Sequence, residues 1–73
     1  MKYLVIEIQT AKNDGSVAKL VTIHDTIEES WQKYYTVLAA AAVSGEKLSC
    51  HSAVLIDSKG WLIDNRVFDR SDE

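Results

Sequence analysis

The sequence predicts an α+β domain of the order ββαββ, in which one helix packs on one face of a four-stranded antiparallel sheet. Three observations indicate this fold. Segments rich in β-branched and aromatic residues come in two pairs, and a short turn joins each pair. One long stretch between the pairs has the spacing of an amphipathic helix. The chain has 73 residues and no proline, so we expect a single domain over 1–73.

The first predicted hairpin covers residues 2–24. Its strands, KYLVIEIQT and SVAKLVTIH, flank the sequence Asn13, Asp14 and Gly15, which tolerates the backbone angles of a tight turn. We expect a three-residue loop that ends at Gly15. One face of the hairpin then carries Leu4, Ile6, Ile8, Leu20, Thr22 and His24, and the other carries Tyr3, Val5, Val21 and Ile23 with Glu7, Gln9 and Lys19.

The predicted helix covers residues 26–44. Asp25 or Thr26 can cap its N-terminus, and the two glutamates that follow suit the positive end of the helix dipole. Gly45 is expected as the C-terminal cap. The side predicted to face the sheet carries Ile27, Trp31, Tyr34, Tyr35, Leu38, Ala41 and Ala42.

The second predicted hairpin covers residues 48–69, and a disordered tail is expected over about 70–73. Asp57 can bond to the turn backbone, and Gly60 suits the left-handed position of a three-residue loop. This register places Ala53, Leu55, Trp61, Ile63 and Val67 on one face with His51 and Asn65, and Cys50, Val54, Ile56, Leu62 and Phe68 on the other with Ser52, Asp64 and Arg66.

One helix covers only one face of a sheet, so the opposite face is available for contact with other molecules. In each hairpin the first set of side chains is the more apolar, and we place it beneath the helix. A half-exposed antiparallel sheet normally alternates cleanly, and a large exposed apolar patch usually marks a contact site. We therefore predict a homodimer, or binding to another protein, through Tyr3, Val5, Val21, Ile23, Val54, Ile56, Leu62 and Phe68.

The neighbours Cys50 and His51 are the main candidates for chemistry. Adjacent strand residues point to opposite faces, so this thiol and imidazole are poorly placed as a nucleophile and its base. Metal-ligand spacings and phosphate-binding glycine patterns are absent from the sequence. We predict a non-enzymatic interaction module without a cofactor, metal or catalytic residue. The alternative is a small ligand-binding protein or enzyme that uses Cys50, His51 and nearby acids.

Composition indicates which partners and which cellular location to expect. The net charge is −3 and the basic residues are scattered, which disfavours nucleic acid as a partner. The sequence lacks an apolar run long enough for a membrane span and a pattern typical of a signal peptide. The single cysteine suits a reducing compartment, so we expect a cytoplasmic location and no membrane association.

The segment YYTVLAAAAVSGEKLSCHSAVLIDSKGWLI resembles a pattern in short bacterial and phage-type proteins without an assigned activity. In that pattern a helix ending in small residues leads to an HSAVL strand, an acidic turn with glycine and a last strand. The resemblance implies a small accessory protein and assigns no catalytic residue.

Overall fold

The computed structural model describes residues 1–70, and it contains the predicted elements in the predicted order. The elements are β1 (Tyr3–Ala11), β2 (Val17–His24), α1 (Ile27–Ala42), β3 (Leu48–Asp57) and β4 (Leu62–Asp69). The strands form one antiparallel sheet in the order β2-β1-β3-β4, so β1 and β3 join the two hairpins. The α+β prediction is confirmed.

The end of the chain is held as far as Arg70. The backbone N–H of Arg70 donates to the carbonyl oxygen of Ser49 at 2.7 Å. The remaining residues of the predicted tail, 71–73, lie outside the described residues.

The loop of the first hairpin is one residue longer than predicted. The Ala11 N–H donates to the carbonyl oxygen of Ser16 at 2.8 Å, so the loop consists of residues 12–15. One extra loop residue shifts the pairing by one position, and Val5 consequently pairs with Thr22. The predicted register of β1 against β2 is wrong for this reason.

This shift reverses the face of every β1 side chain relative to the prediction. Val5 pairs with Leu55 of β3 as well, and both are fully buried beneath the helix. The prediction that Leu4, Ile6 and Ile8 lie beneath the helix is therefore wrong, since they occupy the alternate positions of β1.

The turn of the second hairpin has the predicted form. The Gly60 N–H donates to the carbonyl oxygen of Asp57 at 3.0 Å, and Gly60 has a φ of 94°. The Asp57 carboxylate accepts from the N–H groups of Lys59 and Trp61 at 2.9 and 3.0 Å. The acidic side chain thus holds the turn that the sequence indicated.

A β-bulge follows this turn and was not predicted. Leu55 pairs with Asp64 whereas Ile56 pairs with Leu62, so Ile63 is the extra residue. Beyond the bulge each β4 side chain lies on the face opposite to the predicted one. Asp64, Arg66 and Phe68 share the side of the helix, while Asn65 and Val67 lie on the other side.

Helix α1 begins at Ile27, one residue later than predicted, and ends two residues early. The Thr26 hydroxyl accepts a hydrogen bond from the Glu29 N–H at 3.2 Å, which satisfies one of the free donors at the N-terminus. The helix ends at Ala42, with Val43 as the C-terminal cap.

Gly45 does not cap the helix, because it lacks the positive φ of a left-handed cap. Glycine is favoured at this position because a side chain would collide with that of Arg70. A Cβ atom at Gly45 would lie 2.9 Å from Cδ of Arg70, so glycine leaves room for that side chain to cross the end of α1.

The hydrophobic core lies between α1 and the two central strands. The helix packs mainly on β1 and β3. The inward side of the helix differs from the prediction, since Val37 is buried while Tyr35 is 59 % exposed and Ala42 is also exposed. The buried apolar residues are Val5, Tyr34, Val37, Ala41, Ala53 and Leu55, and Tyr3, Trp31, Leu38 and Ile63 pack against them.

In the part of the chain that the structure describes, α1 is the only helix, and it is too short to cross a membrane.

Candidate functional site

The face of the sheet opposite α1, here called the open face, is the principal candidate site. Register and alternation place sixteen side chains on it, four from each strand. They are Val17, Lys19, Val21 and Ile23 of β2; Leu4, Ile6, Ile8 and Thr10 of β1; Cys50, Ser52, Val54 and Ile56 of β3; and Leu62, Asn65, Val67 and Asp69 of β4.

The side chains of the open face form four rows across the sheet. The basal row is wholly aliphatic, and polarity increases along the strands toward the upper row. From bottom to top the rows are Ile23-Leu4-Ile56-Leu62, Val21-Ile6-Val54-Asn65, Lys19-Ile8-Ser52-Val67 and Val17-Thr10-Cys50-Asp69. The apolar surface is therefore continuous and concentrated at one end of the face.

The large side chains at the edges of this face are open to solvent. Ile23 and Val17 are 66 % exposed, and Leu62 is 60 % exposed. The aliphatic side chains of the central strands are half-buried by their neighbours in the sheet. Single exposed apolar residues are ordinary, but a contiguous patch that spans four strands is typical of a contact surface.

The structure places the predicted contact residues on both sides of the sheet. Val21, Ile23, Val54, Ile56 and Leu62 lie together on the open face.

The other three predicted contact residues are misplaced, because the longer first loop and the bulge reverse their strands. Val5 is only 1 % exposed and Tyr3 packs against the core. Phe68 pairs with the buried His51 on the side of the helix.

Sequence reasoning missed five aliphatic residues of the open face: Leu4, Ile6, Ile8, Val17 and Val67. The alternation of these β1 residues with Glu7 and Gln9 gave a signal that pointed the wrong way. Polar neighbours normally indicate the solvent side of a strand. Here both polar side chains have partners beneath the helix, which β1 alone does not reveal.

These partners form a second candidate site, the polar cluster of Ser44, His51, Glu7 and Gln9. His51 is 2 % exposed, and its Nε2 lies 2.6 Å from Oε2 of Glu7. The Nδ1 atom of the same ring lies 2.9 Å from Oγ of Ser44. Gln9 Nε2 donates to the shared Glu7 oxygen at 3.0 Å. Hydrogen bonds thus link a hydroxyl, an imidazole and a carboxylate in a continuous series.

This order of groups is the one that serine hydrolases use, but its surroundings do not favour acyl transfer. The Ser44 hydroxyl donates to the carbonyl oxygen of Ala41 at 3.1 Å. Because the hydroxyl proton of Ser44 is donated to Ala41, the Nδ1 atom of His51 must be the donor toward the Ser44 oxygen. His51 then cannot accept the Ser44 proton as a base. The carbonyl groups at the end of α1 also carry partial negative charge, whereas an oxyanion requires hydrogen-bond donors.

We therefore assign the polar cluster a structural role, which is to fasten the C-terminus of α1 to the centre of the sheet. Arg70 contributes to the same junction, since its guanidinium donates to the carbonyl oxygens of Ala41 and Ala42 at 3.0 and 3.2 Å. A cation at this end also interacts favourably with the helix dipole. The Arg66 and Arg70 side chains both lie over the Phe68 ring, at 5.0 and 5.5 Å from its centroid.

Tyr34 is the titratable group that the core perturbs. Its side chain is fully buried, and its hydroxyl has no partner in hydrogen-bond geometry among residues 1–70. Burial raises the pKa of Tyr34 above its ordinary value of 10.0, and the charge of the nearby Asp64 carboxylate raises it further.

Two exposed carboxylates have lowered pKa values for local reasons. Hydrogen bonding to the Lys2 ammonium lowers the pKa of Asp25, and this pair joins the start of β1 to the segment before α1. The backbone N–H of Ser16 donates to Asp14 at 2.9 Å and lowers the pKa of that carboxyl within the first loop. Both groups stabilise connections rather than a site.

Cys50 and His51 are not brought together. Cys50 lies in the upper row of the open face and is a free cysteine, while His51 points into the polar cluster on the other side. Among residues 1–70, no group of three or more His, Cys, Asp and Glu side chains is arranged to hold a metal ion.

One hollow lies beside the polar cluster and is open rather than enclosed. It has a volume of about 370 Å³, and it lies next to Ser44 at the loop between α1 and β3. Its lining comes from Gln9, Val43, Ser44, Glu46, Lys47 and Leu48. Two members of the polar cluster, Gln9 and Ser44, line it, whereas His51 and Glu7 do not, so the hollow does not reach the imidazole or the carboxylate.

Comparison with models of known protein families, with curated proteins and with solved structures finds no significant match to this chain. The open face and the polar cluster therefore rest on the geometry of this protein itself.

Proposed function

We propose that this protein is a small, non-enzymatic interaction module that self-associates through its open face. The observation that carries the proposal is the continuous aliphatic surface formed by the lower rows of that face. The partner is a second copy of the chain. A cytoplasmic setting is part of the proposal, because Cys50 is a free thiol.

The balance between buried and exposed apolar residues supports a second copy. Among the described residues the core has six buried apolar residues, and two of them are alanines. The open face carries ten aliphatic side chains that the helix does not cover. A domain of this size is near the lower limit for stability on a single core. Association of two open faces adds the burial that one chain lacks.

The shape of the open face supports the same partner. Between Leu4 and Thr10 the face measures about 19 by 23 Å, from a strand spacing of about 4.8 Å and a rise of about 3.3 Å per residue. Two such faces bury on the order of 1,000 Å² in total, close to the lower limit for a specific interface. Two packed sheets are a common way to close such a surface, with the helices on the outside.

The charge of the open face permits contact between identical copies. Lys19 is its one basic residue and Asp69 its one acidic residue. The face is therefore neutral, and an identical face meets no net repulsion. These two charges lie on the edge strands, where the rim of an interface stays in contact with water.

Sedimentation equilibrium over the micromolar range tests the proposal with a matched pair of variants. Leu62→Asp places a charge in the basal row at a residue 60 % exposed in the single chain. Leu20→Asp makes the same change at a residue 54 % exposed, on the edge strand of the opposite face. We expect the wild type and Leu20→Asp to show twice the chain mass of 8.2 kDa, and Leu62→Asp to be monomeric.

Circular dichroism of both variants is the control, and it should show that each is folded. The proposal fails if the wild type sediments as a monomer throughout this range. It fails equally if Leu62→Asp and Leu20→Asp have the same effect, because the open face would then have no special part in association.

A further inference from the structure

We infer that the two copies pack with their two-fold axis parallel to the strands, so that β2 of each copy lies over β4 of its partner. The inference rests on the proposed function, and it specifies how the second copy is placed. Two identical sheets packed face to face have their two-fold axis in the plane between them. When the strands of the two sheets are aligned, the axis runs either along the strands or across them.

The gradient of polarity distinguishes these two arrangements. An axis along the strands preserves the level of each row, so each basal row meets the partner's basal row. An axis across the strands reverses the levels when the faces overlap fully. The aliphatic basal row would then cover Thr10, Cys50 and Asp69 of the upper row. Burying the Thr10 hydroxyl against aliphatic side chains of the central strands is costly, so the axis along the strands is favoured.

The two charges of the open face support the same axis. Lys19 lies on β2 and Asp69 on β4, in adjacent rows of the upper half of the face. Within one chain they are three strand spacings apart, about 14 Å, which is too far for an ion pair. An axis along the strands exchanges the two edges, so each Lys19 meets the partner's Asp69.

The proposed contact therefore occurs twice in each dimer, at the two rims. Asp69 also has an interaction that involves its own chain. A carboxylate has acceptor sites for more than one donor, so this interaction and a lysine of the partner can be accommodated together. The aliphatic rows supply the affinity in this arrangement, and the two ion pairs select the orientation.

Charge reversal tests the arrangement through the dissociation constant of the dimer at low salt. Lys19→Glu and Asp69→Lys should each weaken the dimer about tenfold, because each replaces two attractions by two repulsions. The double variant restores opposite charges and should return to within about threefold of the wild type. Lys59→Glu, in the turn of the second hairpin, is the charge-matched control and should leave the dimer unchanged.

The outcomes separate this inference from the proposed function. If the wild type dimerises but the effects of Lys19→Glu and Asp69→Lys simply add, the axis is wrong and the self-association stands. If the wild type does not dimerise, both are wrong. Restoration that disappears at high salt agrees with an ion pair at a solvated rim.

A distance measurement gives a second and independent test. With the axis along the strands, the β3–β4 turns of both copies lie at the same end of the dimer. A spin label at Lys59→Cys, in a Cys50→Ser background, should then lie within about 25 Å of its equivalent. An axis across the strands places the two labels near opposite ends of a molecule 39 Å long. A separation close to that length overturns the inference.

Discussion

The two faces of the sheet differ in a way that composition alone does not reveal. The covered face, beneath α1, carries a small core around Val5 and Leu55 and next to it the polar cluster, in which His51 is buried and Glu7 is half-buried. The open face has an aliphatic lower half and no helix. The more apolar face is thus the one that residues 1–70 leave uncovered.

This difference shows that a helix does not need the most apolar surface available. The covered face offers α1 small residues, such as Ala53, and hydrogen-bond partners at the end of the helix. Polar side chains are tolerated beneath a helix when they satisfy one another. The open face offers shape and aliphatic area, which suit another sheet.

The largest expected effect comes from Leu55→Ala in the covered face. Leu55 is fully buried in the core, and its truncation leaves a cavity between α1 and the sheet. We expect the free energy of unfolding to fall by about 2–5 kcal/mol.

Leu62→Ala removes the same atoms from the open face. At a protein concentration low enough to keep the chain monomeric, we expect a loss below about 1 kcal/mol. Urea denaturation of both variants measures the contrast. Equal losses would show that the two faces are buried alike, which would contradict the assignment of α1 to one face.

A smaller effect is expected from His51→Ala, which breaks the polar cluster. The Glu7 carboxylate, which is only 14 % exposed, then loses its closest partner, and Ser44 loses its link to the sheet. We expect a loss of about 2–4 kcal/mol, close to the effect of removing one partner of a buried pair. His24→Ala is the control. His24 lies half-buried near the edge of the sheet and bonds to the Thr22 hydroxyl, so a loss below about 1 kcal/mol is expected.

If both histidine variants lose the same free energy, the polar cluster does not fasten the helix. Hydrogen exchange distinguishes a local effect of His51→Ala from a general one. His51→Ala should raise exchange most strongly in the last turn of α1, whereas a general loss of stability raises it throughout the core.

The order of elements could be predicted because each depends on local chemistry. Thr26 caps the helix and Asp57 holds a turn through bonds to residues at most four positions away. Such features are visible in a short stretch of sequence. The bulge at Ile63 and the extra residue in the first loop are not, since either pairing satisfies the same local preferences.

The candidate site was harder to predict, because the face on which a strand side chain lies depends on whether the preceding loop has an odd or an even number of residues. One residue more in a loop moves every side chain of a strand to the other side of the sheet. Val21 and Ile23 remained on the correct face because their strand was placed correctly, while Val5 moved with β1. The hydrogen bond between His51 and Glu7 explains why a polar residue of β1 lies beneath the helix. It joins residues 44 positions apart, so it can be recognised only when the fold is known.

The smallest expected effect concerns pH and the buried hydroxyl of Tyr34, which α1 contributes to the core above the covered face. Its pKa is raised in the folded chain by burial, with the Asp64 charge as a further cause. Below the ordinary tyrosine pKa of 10.0, both folded and unfolded chains keep this proton, so its contribution to stability does not change with pH. Above that pH the unfolded chain loses the proton first, and stability should fall as pH rises.

Tyr34→Phe should remove this contribution and leave a shallower decline of the free energy of unfolding at alkaline pH. Near neutral pH the variant should be within about 1 kcal/mol of the wild type, because the Tyr34 hydroxyl lies near the Asp64 carboxylate but has no partner in hydrogen-bond geometry among the described residues. Tyr35→Phe is the matched control on the exposed side of the same helix, and it keeps Tyr34 in place. Urea denaturation at a series of pH values measures both. An unchanged decline in Tyr34→Phe would show that the hydroxyl is hydrated in the folded chain, and that the covered face is less closed than its geometry indicates.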